Sequence, residues 1–331
     1  GTAMSVQSPL DAIAPGIKVA AQVRPEASDA DLQLVARMGV AHAVLWTGAE
    51  NANYEYYASR RERFEKAGVS IYGFGSSSVH NVDAIVLNLP NRDEKVAEYK
   101  RHIRALGKAG IPYTTYAHMA NSVWSTEREE TRAGASARAF NTDTASTALT
   151  HDREYSEQEI WDNFTSFITE VAPVAEEAGV MIGMHPDDPP GIALGGVPRC
   201  ILSNFEGYVR AVEIADSPNV GLCLCVGCWL EGGDAMGKSV VDAIHYFGER
   251  RKIFKVHFRN VDRPLPHFVE TFLDNGYMDM STVMNALRDV DFNGVVIPDH
   301  IPAMADDGRI GTAYTIGYMN ALVERANAEA G

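Results

Sequence analysis

Eight short β-rich segments punctuate this chain: 17 to 22 (IKVAAQ), 41 to 46 (AHAVLW), 69 to 74 (VSIYGF), 111 to 118 (IPYTTYAH), 180 to 185, 220 to 225, 253 to 258 and 294 to 300. Helical patterns lie between them. Buried strands that alternate with amphipathic helices build a parallel sheet. Eight such units predict closure into an α/β fold of the (β/α)8 TIM-barrel type rather than an open doubly wound sheet. No G-x-G-x-x-G turn follows the first strand, which removes the main support for a dinucleotide fold. With 331 residues and no linker in view, the expectation is one barrel domain spanning 1–331.

The helical segments carry the expected punctuation. In 92 to 109, Val96, Tyr99, Ile103 and Leu106 recur at helical spacing among charges. In 156 to 178, Ser156 and Glu159 make a capping box and Ile160, Phe164, Phe167, Ile168 and Val171 form a stripe. Gly179 stops that helix, and Pro173 is expected to kink its last turns. Segment 121–155 is polar, long and weakly periodic, and it follows the fourth strand at the face where barrel loops carry function. A lid and a disordered excursion are equal readings of it.

Against 29 basic side chains stand 44 acidic ones, a formal charge of −15 that repels polyanionic nucleic acid and anionic membrane. No apolar run approaches the roughly 20 residues of a spanning helix. The stretch after Gly1-Thr2-Ala3-Met4, which itself reads as an expression remnant, lacks a signal-peptide pattern. Cys200, Cys223, Cys225 and Cys228 fall close together, but no second pair completes a four-thiolate site. Free thiols in a reducing cytoplasm are expected, with a small molecule as partner and a homo-oligomer as an open expectation.

Four side chains able to bind metal, His185, Cys225, His257 and Asp299, stand at or near the C-terminal ends of successive predicted strands. Their separations of 40, 32 and 42 residues suit consecutive units of a barrel, which average roughly 31 residues before insertions. Strand ends of such a barrel open onto one face. Imidazole, thiolate and carboxylate converging there are expected to form a divalent metal site with positions open for substrate oxygens.

Flanking residues add candidates. Arg259 lies two residues after His257, so strand alternation predicts that it points to the same side and clamps a ligand oxygen; a structural salt bridge is the equal alternative. Asp187 and Asp188, in HPDDPP, could orient the imidazole of His185 or simply cap a turn. Asp299 and His300 are consecutive, so both reach the site only if the pleating breaks at the strand end. Tyr314 falls near the start of the last helical pattern, where a phenol could act as an acid.

The strings HPDDPP, GLCLCVG (221 to 227), VHFRN, FVETFLDNGYMDM (268 to 280) and PDH, followed by Tyr314, resemble the D-mannonate dehydratases, a manganese-dependent group with a xylose-isomerase-like barrel. The similarity runs from about the third strand to the C-terminus. It implies metal ligands at His185, Cys225, His257 and Asp299, a catalytic pair at Asp299 and Tyr314, and Mn²⁺ as the metal. It also implies dehydration of a sugar acid, D-mannonate or a related aldonic acid, to a 2-keto-3-deoxy acid. Thiolate ligation by itself would suit Zn²⁺, Co²⁺ or Fe²⁺ as well, so manganese rests on the resemblance.

The pocket motifs depart from the family pattern. Where the family writes R-P-D-H-G, this chain has Ile297 and Ile301; where it has Y-N-F-M-P and then D-W-x-R-T, the runs are Tyr116-Ala117-His118-Met119-Ala120 and Val123-Trp124-Ser125-Thr126-Glu127. The expected cation is missing at both places. Arg259, Asn260, His300, His118 and Tyr116 are the expected substrate-binding residues, with Trp124, Arg132 and Arg138 as further candidates. A metal-dependent sugar isomerase or epimerase is the alternative activity, and a non-catalytic sugar-acid sensor a third reading.

Overall fold

A computed structural model describes residues 7–330. The strands are β1 (Lys18–Gln22), β2 (His42–Thr47), β3 (Ser70–Ser76), β4 (Tyr113–Tyr116), β5 (Glu129–Glu130), β6 (Ser136–Ala137), β7 (Ala139–Asn141), β8 (Met181–Met184), β9 (Val220–Cys225), β10 (Ile253–Phe258), β11 (Asn260–Val261), β12 (His267–Thr271) and β13 (Val295–Pro298). The helices are α1 (Asp29–Arg37), α2 (Tyr54–Lys66), α3 (Asp83–Val86), α4 (Arg92–Ala109), α5 (Glu157–Ala178), α6 (Phe205–Ala215), α7 (Val226–Gly232), α8 (Val240–Glu249), α9 (Met280–Asp289) and α10 (Gly308–Glu329).

Eight of these strands close in the order β1-β13-β10-β9-β8-β4-β3-β2, and every neighbouring pair is parallel. All eight segments read from the sequence supply a barrel strand. Alternation divides each strand's side chains between two cores. One lies between sheet and helices, where Phe64, Tyr99, Phe164, Phe167 and Phe247 are among the fully buried rings. The other fills the base of the barrel with Ala20, Val44, Tyr72, Tyr113, Met181, Phe254, Val295 and Ile297. Leu10, in a short 3-10 turn ahead of β1, plugs that base, and Asn293 Nδ2 donates to its carbonyl at 2.8 Å.

α5 begins with both hydrogen bonds of the Ser156–Glu159 capping box and ends at Gly179, whose φ of 70° is the left-handed conformation open to glycine. It continues through Pro173 as one element, so the expected kink does not divide it. Segment 121–155 is not a structureless excursion. β5 and β6 form an antiparallel pair, and β7 joins β12 and β11 in a three-stranded sheet. Arg138 pins the segment to the barrel face, its guanidinium 2.8 Å from Asp188 and donating to the Trp124 carbonyl at 2.8 Å. Residues 1 to 4, read above as a remnant, lie outside the described residues. No described helix is long and apolar enough to cross a membrane.

Candidate metal centre and active site

Register builds the site. Cys225, the last residue of β9, pairs directly with His257 on β10, and His257 pairs in turn with Ile297 on β13, two residues before Asp299. His185 follows the end of β8, and its ring centroid is 4.9 Å from that of His257. Cys225, His257 and Asp299 can each bring a ligand atom within 4.8 Å of the others, and His185, Cys225 and Cys228 do the same. Cys225 Sγ lies 3.7 Å from Asp299 Oδ2, and His257 Nδ1 lies 3.7 Å from Asp299 Oδ1.

The protonation states of three of these groups suit a cation; in His185 burial is outweighed by the Cys225 hydrogen bond and charge, which raise it above the usual imidazole range. Burial pushes the Cys225 thiol up, but the Cys228 hydrogen bond and the Arg259 charge outweigh it and hold the sulfur well below the usual thiol range. Burial likewise opposes ionisation of Asp299, while His300, His257 and Arg259 hold it well below the carboxylate range. Burial lowers His257 to about 4 and leaves it neutral. Neutral imidazole, thiolate and carboxylate are the forms that bind metal. Both ring nitrogens of His257 are buried and find no hydrogen-bond partner, a costly arrangement that an ion between these residues would relieve at one of the two. The donor set therefore fits a divalent metal.

A cavity of about 400 Å³ opens beside this cluster, lined in part by His185, His257, Asp299 and His300. β13 ends at Pro298, and His300 adopts φ 42°, a left-handed backbone rare for a residue with a side chain. That break in the pleat brings two consecutive side chains into one cavity.

A family model described as D-mannonate dehydratase matches residues 31–153 and 141–329. The chain belongs to the D-mannonate dehydratase family. A mannonate dehydratase of Oceanobacillus iheyensis is 29% identical over 302 residues, covering 80% of this chain and 83% of that protein. The crystal structure of a mannonate dehydratase from Streptococcus suis superposes with a TM-score of 0.86 at 28% identity, covering 96% of this chain and 95% of the other. A xylose isomerase domain protein from Planctomyces limnophilus, 12% identical with a TM-score of 0.63, shares the barrel fold.

Behind the cavity of this D-mannonate dehydratase relative lies an ionic cluster that bears out the salt-bridge alternative for Arg259, with partners the sequence did not indicate. Arg259, 1% exposed, places Nη1 2.6 Å from Glu231 and 2.7 Å from Glu270, Nη2 3.2 Å from Asp188, and Nε 3.0 Å from Asp299. Nη2 also reaches Cys225 and Cys228 Sγ at 3.3 Å each. The guanidinium does not line the cavity: the buried acids hold it within the wall, where it contacts the Cys225 sulfur and the Asp299 carboxylate. Burial, reinforced by Asp188, pushes Glu231 well above the carboxyl range, so Glu231 keeps its proton and shares it with Asp188.

Other expected substrate contacts fall elsewhere. In β4, Tyr113 and Thr115 take the inward parity, so Tyr116 turns to the helix layer, where it stacks on Phe167 with centroids 4.2 Å apart. Its hydroxyl meets His118 Nδ1 at 2.6 Å, and His118 Nε2 reaches the Ile160 carbonyl at 3.1 Å. Neither lines the cavity. Asn260 donates to the carbonyls of Leu273 and Met278 and so ties β11 to the loop between β12 and α9. Tyr314, on α10, gives its hydroxyl to Asp274 at 2.9 Å, beside the Arg132–Asp274 ion pair. Trp124 is bound through its backbone, and neither it nor Arg132 nor Arg138 lines the cavity. His300 does, and its Nδ1 lies 2.8 Å from Glu270. Although burial opposes it, Asp299 and Glu270 raise His300 to about 9, which keeps it charged at neutral pH.

The cavity wall also contains Gln22, Trp46, His80, Asn81, Thr115 and Lys255, none of them singled out in the sequence. A signal for Lys255 was present: it interrupts the apolar run IFKVHF at the same strand parity as His257.

Proposed function

We propose that this member of the family dehydrates a sugar acid, D-mannonate or a related aldonic acid, to the 2-keto-3-deoxy acid, with Mn²⁺ held by His185, Cys225, His257 and Asp299. The observation that carries the reading is that imidazole, thiolate and carboxylate groups from four successive barrel strands gather beside one cavity, in two sets of three that share Cys225, with both nitrogens of His257 unpartnered. A divalent metal supplies a Lewis acid that draws electron density from substrate oxygens and makes the proton α to the carboxyl group more acidic.

The chain's own groups move the protons. Asp299, held ionised, accepts the proton from C2. His300, held charged and lining the same cavity, gives its proton to the departing 3-hydroxyl, which leaves as water. The resulting enol tautomerises to the 2-keto acid. Tyr314, the other acid implied by family resemblance, has its hydroxyl engaged by Asp274, so we assign the acid role to His300. The four cysteines are free, which accords with the reducing cytoplasm we propose as the setting.

The test is product formation from D-mannonate with added Mn²⁺, read as the thiobarbiturate adduct of a 2-keto-3-deoxy acid, alongside an assay for aldose–ketose interconversion. D299N is expected to lower dehydration by about 10²–10⁴-fold, the usual contribution of a positioned proton acceptor. H300N is expected to retain C2 proton exchange with solvent while losing dehydration, and Y314F to retain both. Turnover of neutral sugars without the keto-deoxy product would replace this reading with isomerase chemistry.

A further inference from the structure

Lys255 lies on β10 two residues before His257 and on the same side of the strand, so its side chain enters the barrel on the floor side of the ligand cluster. It is 3% exposed, yet it lines the cavity. Its three donors enter none of the hydrogen bonds or ion pairs among the described residues; its recorded neighbour is the Tyr113 ring, with the centroid 5.6 Å from Nζ. A buried ammonium with its donors unused is expensive unless an anion comes to it.

The surroundings define that anion. The register neighbours of Lys255 are Val295 on β13 and Cys223 on β9, and although Asp299 and Asp188 line the same cavity, neither comes within ion-pair distance of its Nζ. The other cations near the site are already committed: Arg259 to four acids and His300 to Glu270 and Asp299. In the same cavity, His80 Nδ1 is buried without a partner, and its ring stands edge-on to Trp46 with centroids 4.8 Å apart. One free cation, an unpartnered imidazole nitrogen and an indole describe a site for a small polyhydroxylated molecule with one anionic end.

We propose that Lys255 receives the substrate's carboxylate and thereby selects an acid over a neutral sugar, with His80 receiving a hydroxyl. This rests on the sugar-acid reading above and adds the residue that reads the acid. Lys255 acts here as a binding group and takes no part in proton transfer.

The test is calorimetric titration of the whole chain, after chelation so that no turnover occurs, with D-mannonate and with the neutral D-mannitol. Wild type is expected to prefer mannonate. K255M is expected to weaken mannonate about 10- to 100-fold, the loss that follows removal of a charge-assisted hydrogen bond, and to leave mannitol binding unchanged. K255R, which keeps the charge, is expected to retain part of the preference, and unchanged thermal melting of the variants separates binding from folding. A folded K255M that binds mannonate as wild type does would overturn the proposal and leave Lys255 as a cation resting on Tyr113. Should K255M not fold, K255Q takes its place under the same criterion. Wild type that prefers mannitol, or turns over a neutral sugar, would remove the sugar-acid reading and this proposal with it.

Discussion

At the scale of single residues, Arg259 shows how one side chain serves a site it does not enter. Its guanidinium contacts Cys225 and Asp299 while gathering Asp188, Glu231 and Glu270 around it. Removing one partner of a buried ionic cluster leaves uncompensated charge, which typically costs about 3–5 kcal/mol. R259M is therefore expected to lower unfolding free energy by that amount in urea titration. Lysine at this position could not reproduce the fork of contacts. E231Q is expected to stay within about 1 kcal/mol of wild type, because burial already keeps Glu231 protonated and the amide matches a neutral acid in size. A large loss in E231Q would show that Glu231 is charged in the folded protein.

Among the elements, β4 and the helices behind it account for a pH dependence separate from the site. His102, on α4, and His118, just after β4, are buried in the helix layer; burial lowers them to about 4 and about 3, and backbone hydrogen bonds to Phe74 and Ile160 offset only part of this. Both shifts are downward, so the folded chain holds neutral rings while the unfolded chain takes up protons below about pH 6.5. The unfolded state then binds more protons, and stability falls as pH drops from about 6.5 toward 4. With each proton worth about 1.4 kcal/mol per pH unit, the two histidines together approach 2.7 kcal/mol per unit. Urea midpoints at pH 7, 6 and 5 are expected to decline in that order. H102N/H118N should show a shallower decline, and equal slopes would exclude these rings as the source.

The same elements explain what could be read in advance. Each barrel strand is an apolar run bounded by breakers, so all eight were visible from local composition, and the clustering of His185, Cys225, His257 and Asp299 was visible because each sits at or just beyond a strand end. Tyr116 was misplaced although parity was available: Thr115, not Tyr116, takes the inward position. Arg259 lies just after β10 ends at Phe258, where period-two reasoning no longer applies. The Glu231 and Glu270 carboxyls come from α7 and β12, elements outside the eight-unit pattern, so nothing local announced that they would meet Arg259.

At the scale of the whole molecule, a metal bound by the folded chain alone stabilises it by mass action, about 2.7 kcal/mol when free metal exceeds the dissociation constant 100-fold. Thermal melting is expected to shift upward with Mn²⁺ and downward with chelator, and D299N should reduce the difference. Identical melting curves for wild type with and without metal would contradict the assignment of the four ligands. Closure of the cylinder sets a further condition. Among the described residues β13 is the last strand and joins β1 to β10, and it delivers Asp299 immediately after Pro298. A ribosome that has not yet extruded this stretch holds a sheet with two raw edges and an incomplete set of donors. Closure of the cylinder and arrival of the Asp299 carboxylate beside Cys225 and His257 are thus one event.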